Sequence, residues 1–308
     1  MLQQAISLLL LCLDAANGLP RPESSFPRAV SSTRTVFLDD FSGLAVGSLP
    51  SRAKWTIDLG TSYPGGPSNW GTGETQVYTN RRTNIAITKY RTLKITPVRE
   101  RDGTWTSARI ETTKAWDFGC PLGQRLRVDA MIKLGADSTS KQLGIWPAFW
   151  ALGSAYRGNY QNWPSVGEVD ILESVNGQNK MHQIVHCDRA PGGVCNEFSG
   201  IGRAMDGIQR GLWHTFSWEV DRRPGLREET MTWFIDGRKH WTLKQSDLRS
   251  SSAWKALAQN SKMLLLNVAV GGSFPDAVAG YKTPTSRTVG GDGASMEVAW
   301  VYAYTSTK

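Results

Sequence analysis

The stretch Gly167-Glu168-Val169-Asp170-Ile171-Leu172-Glu173 sets three carboxylates among residues that are otherwise apolar or glycine. Carboxyl groups gathered on one surface can act as nucleophile, as general acid and base, or as cation ligands, and each role requires that they share an orientation. From Glu168 to Ile171 the residues alternate polar and apolar with the period of a strand. Strict alternation would set Leu172 beside Glu168 and Asp170 and drive Glu173 onto the apolar face, where an unpaired carboxylate is costly. One extra residue, a β-bulge between Asp170 and Glu173, returns Glu173 to the acidic face and leaves Leu172 for the core. The expectation is a single strand face carrying Glu168, Asp170 and Glu173. The competing reading is a solvated edge strand without chemistry.

The elements that must position these acids read as short strands separated by turn residues. In QRLRVDAMIKLG, Leu126, Val128, Ala130, Ile132 and Leu134 alternate with mostly polar residues, and HTFSWEVD repeats the pattern with Phe216, Trp218 and Val220. MTWFIDGRKHWTL reads as a hairpin turning at Asp236-Gly237. KMLLLNVAVGG reads as a strand covered on both faces, and only 252–260 reads as helical. With no αβ alternation, no repeat and no internal linker, the expected architecture is one all-β sandwich or jelly roll. Of 13 Trp, about half are expected in that core. Trp146 and Trp150 are an even number of residues apart, so on a strand their rings share a face roughly 13 Å apart. Such rings can hold successive faces of a sugar chain, and Trp163 lies just ahead of the acids.

The start of the chain, 1–18, has an apolar run followed by small residues, as a secretory signal peptide does. Residues 19–35, rich in Pro, Ser and Arg, read as a disordered leader or propeptide, and 36–308 as the single folded domain. No later stretch approaches a membrane span, so the product is expected outside the cell or at the cell wall. There Cys187 and Cys195, bracketing a Pro-Gly-Gly turn, are expected to pair and leave Cys120 as an odd thiol. No CxxC or HExxH spacing supports a metal site. The net charge of +8 is spread along the chain rather than gathered in a basic run, which argues against nucleic acid as a partner.

GEVDILE resembles the signature of glycoside hydrolase family 16, in its fungal-type laminarinase-like branch with the spacing E-x-D-x-x-E. WGTGETQVYT, TLKITPV, SARIET, GIWPAFWALG, NWPSVGEVDILESVNG, CDRAPGGVCNE, WHTFSWEVD and LLLNVAVGG resemble that family's blocks in their usual order. The resemblance implies a concanavalin-like β-jelly roll with an open concave cleft, and a monomeric enzyme that hydrolyses β-1,3-glucan internally with retention, using no cofactor. Retention requires two carboxyl groups about 5–5.5 Å apart. Glu168 is assigned as nucleophile and Glu173 as acid/base, with Asp170 bonding the nucleophile and, by like charge, keeping Glu173 protonated. The resemblance further implies sugar contacts for Asn84 and Arg109, cleft aromatics at Trp146, Trp150 and Trp163, and a histidine beside the acid/base at His186.

Two positions depart from the family: Phe274 stands where a Trp is common, and Ala299 where relatives often carry an Asp that ligates a structural calcium. A wall transglycosylase, or a hydrolase of mixed-linkage glucan or β-1,3-galactan, would use the same three acids. A non-catalytic glucan-binding protein would be expected to have lost Glu168 or Glu173.

Overall fold

The computed structural model describes residues 33–225 and 227–308. The expected signal peptide, 1–18, and most of the expected leader, 19–35, lie outside the described residues. The first strand already begins at Thr33, ahead of the expected start at Val36, because the backbone of 33–35 pairs with the last strand.

The strands are, in order, β1 (Thr33–Asp39), β2 (Trp55–Asp58), β3 (Gln76–Tyr78), β4 (Ile85–Ile87), β5 (Leu93–Ile95), β6 (Val98–Arg99), β7 (Trp105–Ser107), β8 (Arg109–Thr112) and β9 (Arg125–Leu134). They continue with β10 (Ile145–Gly153), β11 (Glu168–Glu173), β12 (Lys180–His186), β13 (Ile201–Asp206), β14 (Trp213–Asp221), β15 (Thr230–Ile235), β16 (Arg238–Lys244), β17 (Lys262–Val270) and β18 (Met296–Ser306). One sheet has the order β16-β15-β14-β9-β18-β5-β4, with β1 also on β18; a second has the order β13-β12-β11-β10-β17-β8-β2. All pairs within these two sheets are antiparallel, and a small third sheet joins β3, β7 and β6. This is the jelly-roll sandwich expected from the strand pattern.

The alternating residues of β9 and β14 face the second sheet and meet Phe149, Val169, Ile171 and Leu172 in one continuous core. Six of the 13 Trp are buried, Trp55, Trp105, Trp218, Trp233, Trp254 and Trp300, which leaves the others for the surface and the cleft. β17 is covered on both faces: Leu264, Leu266, Val268 and Val270 join the main core, while Met263 and Leu265 sit under Tyr63, Tyr156 and Tyr160. The β15–β16 hairpin turns at Asp236 and Gly237, both left-handed at φ 52° and 73°, as a two-residue turn between right-twisted strands requires. The helical segment 251–259 packs against the entry to β11: a side chain at Gly167 (φ 78°) would place its Cβ 2.5 Å from the Ala256 carbonyl. Among the described residues, no helix is long and apolar enough to cross a membrane.

Cys187 and Cys195 form the expected disulfide, with Cα atoms 5.4 Å apart, and Cys120 is a buried thiol whose pKa burial pushes up to about 12. Closing a loop this short constrains the unfolded chain by about 2–3 kcal/mol. Cys187→Ala/Cys195→Ala is therefore expected to lower the free energy of unfolding by that amount, measured by chemical denaturation.

Candidate active site

The bulge that the acidic motif requires is present. Leu172 pairs with Phe149 and Asp170 with Trp150, so Ile171, between them, has no partner across β10. Val169, Ile171 and Leu172 enter the core, and the three acids share the opposite face. That face continues onto β10 with Trp146 and Trp150, onto β17 with Asn267, and onto β8 with Arg109.

Burial dominates the electrostatics. It pushes Glu173 up to about 7, with a smaller rise from Glu168 and opposing contributions from His186 and from the Trp146 indole, whose Nε1 donates to Glu173 Oε1 at 2.9 Å. Desolvation is the largest cause, and like charge between Glu173 and its neighbours Asp170 and Glu168 opposes their joint ionisation. Asp170 is itself raised well above the usual carboxylate range, first by burial and then by Glu173, Glu168 and Glu197. Its Oδ2 has no hydrogen-bond partner among the described residues. That oxygen lies 3.6 Å from His186 Nε2. Burial raises Glu168 too, against which act His186, Arg109 and a hydrogen bond from Trp163.

Glu168, Asp170 and His186 bring potential ligand atoms within 4.8 Å of one another.

The structure gives each expected cleft residue its surroundings. Asn84 is fully buried; its side chain accepts from Thr79 Oγ1 at 2.6 Å and donates to the Thr96 carbonyl and to Thr106 Oγ1 at 3.1 Å, so it braces a turn with both donors engaged. Arg109 is 5% exposed, donates to Asp58 Oδ2 and the Tyr63 hydroxyl, and lies over the Trp70 and Trp150 rings, so it supports the floor rather than reaching into the cleft. His186 pairs in register with Glu168 and its charge also acts on Glu173, whose own partner in register is His182. Trp163, which hydrogen-bonds Glu168, lies 5.6 Å from the His186 ring and stacks on Phe198 at 6.1 Å. Trp146 and Trp150 hold the expected places on the acidic face. Trp146 meets Phe274 edge-on at 5.6 Å, and Trp150 donates to Asn267 Oδ1 at 2.8 Å.

Residues not singled out in the sequence complete the site. Asn267 was marked, in retrospect, by being the only polar residue in the apolar run 263–270. It also takes part in a bond with the Tyr78 hydroxyl, which in turn donates to the buried Glu74. Glu197 bonds His186 from a loop that no spacing rule connects to β11.

Residues 69–199 match the family model for XgeA-like catalytic GH16 domains. The solved endo-1,3-beta-glucanase of Streptomyces sioyaensis is 41% identical, superposes with a TM-score of 0.85, and is covered over 100% of its length by 92% of this chain. The chain belongs to glycoside hydrolase family 16. Other relatives of this family 16 chain include the glucan endo-1,3-beta-glucosidase of Cryptopygus antarcticus, 27% identical over 87% of this chain and 90% of that protein. The clotting factor G alpha subunit of Tachypleus tridentatus is 29% identical over 72% of this chain, which spans only 28% of that longer protein. The laminarinase of Rhodothermus marinus is 25% identical, with a TM-score of 0.66 over 88% of this chain and 97% of that one.

Proposed function

We propose that this family 16 enzyme is an endo-acting β-1,3-glucanase that retains anomeric configuration, with Glu168 as nucleophile and Glu173 as acid/base. The observation that carries this reading is the bulge at Ile171, which sets both glutamates on one face of a single strand. The charge of Glu168 acts on Glu173, which suits two carboxyls sharing one site as a retaining pair must. Glu168 attacks the anomeric carbon while Glu173 protonates the leaving oxygen; Glu173 then removes a proton from the water that releases the sugar. Asp170, between the two glutamates on the same face, is assigned to hold Glu168 by a hydrogen bond. Trp146, Trp150 and Phe274 present apolar edges and faces to sugar C–H surfaces. The disulfide suits an oxidising compartment, and action outside the cell by a monomer on a wall polysaccharide fits it.

The test is the anomer formed first. NMR of fresh reducing ends from a β-1,3-glucan, recorded before mutarotation, is expected to show the β-anomer. The α-anomer first would mean that a different second acid works with water and that Glu168 is not the nucleophile. A parallel panel of β-1,3-, mixed-linkage and galactan substrates is expected to show turnover concentrated on β-1,3-glucosyl linkages.

A further inference from the structure

Glu197 lies two residues past Cys195, between β12 and β13, and its carboxylate is completely buried. One oxygen is 2.7 Å from His186 Nδ1, and the other accepts the backbone N–H of Cys187 at 2.8 Å. A carboxylate only accepts hydrogen bonds, so Nδ1 carries a proton and Nε2 is the nitrogen turned to the acids, 3.6 Å from Asp170 Oδ2. Glu197 is held in place from several directions. Its backbone exchanges both hydrogen bonds with Gly192 at 2.6 Å, and the Cys187–Cys195 bond closes the loop against the residue that follows His186.

We propose that Glu197 is a positioning residue of the hydrolytic site: it fixes the ring of His186 and keeps it cationic, so that a positive charge faces Glu168 and Asp170. The proposal rests on the hydrolase reading above. The charged groups facing His186 are Glu168, Asp170 and Glu173 from β11 and Glu197 from its loop, with the uncharged Trp163 ring alongside. Burial alone would push His186 down, but the Glu197 hydrogen bond and the surrounding carboxylates outweigh it and raise it. The cation lowers both Glu168 and Glu173, and at Glu168 its effect exceeds the opposing repulsion from Glu197. The loop and its disulfide thereby act on the nucleophile without touching substrate.

Glu197→Gln keeps the shape and an acceptor for the Cys187 N–H while removing the charge. The side-chain nitrogen NMR signals of His186, assigned by their loss in His186→Gln, are expected to titrate above the usual histidine value in the unaltered enzyme, with Nδ1 protonated throughout. In Glu197→Gln the midpoint should fall by about one unit or more. With the cation lost, Glu168 and Glu173 both rise, so both limbs of the kcat/KM profile on β-1,3-glucan should move to higher pH while KM stays within about twofold. An unchanged His186 midpoint, or an acidic limb that moves to lower pH, overturns the proposal. If Glu197→Gln does not fold, the unaltered enzyme still decides: a proton confined to Nε2, or a midpoint below the usual value, overturns it. An enzyme without activity on β-1,3-glucan would defeat the hydrolase reading and leave the His186 titration as measured, so the two failures are distinguishable.

Discussion

Glu168→Gln is expected to leave no measurable hydrolysis of β-1,3-glucan, a loss of at least about 10⁴-fold, or about 5.5 kcal/mol in the barrier. The amide is nearly isosteric with the carboxyl but cannot form the glycosyl ester. No recovery is expected on aryl glycosides with good leaving groups, because the missing step is attack and not departure. The fold should be retained, since Glu168 lies on the cleft face of β11 and not among the core residues Val169, Ile171 and Leu172. Its melting temperature is expected to be equal or higher, because burial disfavours the Glu168 carboxylate and the neutral amide removes that cost. Glu168→Ala supplied with azide should form an α-configured glycosyl azide, as the small anion enters the space of the lost nucleophile. More than a tenth of the original activity in Glu168→Gln, or a β-azide from Glu168→Ala, would remove Glu168 from the role.

The shared face of the three acids was legible in the sequence because the alternative was expensive. A regular strand would have buried Glu173 with Val169 and Ile171, and the cost of that charge pointed to the bulge found at Ile171. The strands of the core were legible for a similar reason, since period-two alternation in β9 and β14 leaves one face with nowhere to go except against another sheet. Asn84 and Arg109 were harder, because type and block assign a residue to a region and not to the side from which its bonds are satisfied. Asn84 finds three partners within the turn it braces, and Arg109 finds Asp58 and Tyr63. Glu197 was invisible because its link to His186 runs through a disulfide-closed loop rather than through any periodicity. Asn267 carried a readable signal, a lone amide in an apolar run, which a buried strand tolerates only where that amide has partners; Trp150 and Tyr78 supply them.

Glu173→Gln is expected to lower hydrolysis of β-1,3-glucan by about 10²–10⁴-fold, with a pattern opposite to that of the nucleophile. The sugar leaving group needs a proton and the dinitrophenolate does not. A dinitrophenyl laminari-oligosaccharide should therefore still form the glycosyl-enzyme in Glu173→Gln, and the intermediate should accumulate as a burst because the base for its hydrolysis is missing. Azide, which needs no base, should release it from Glu173→Ala as the β-configured azide. The pH dependence gives an independent check. Burial raises Glu173 to about 7, so its acid form is populated below that value and lost above it, and kcat/KM of the unaltered enzyme should fall as pH rises through about 7. That limb should be absent from Glu173→Gln. In Trp146→Phe, which lacks the indole N–H that stabilises the carboxylate, it should move to higher pH. A basic limb that survives in Glu173→Gln, or an equal loss on sugar and dinitrophenyl leaving groups, would place the acid elsewhere on the cleft.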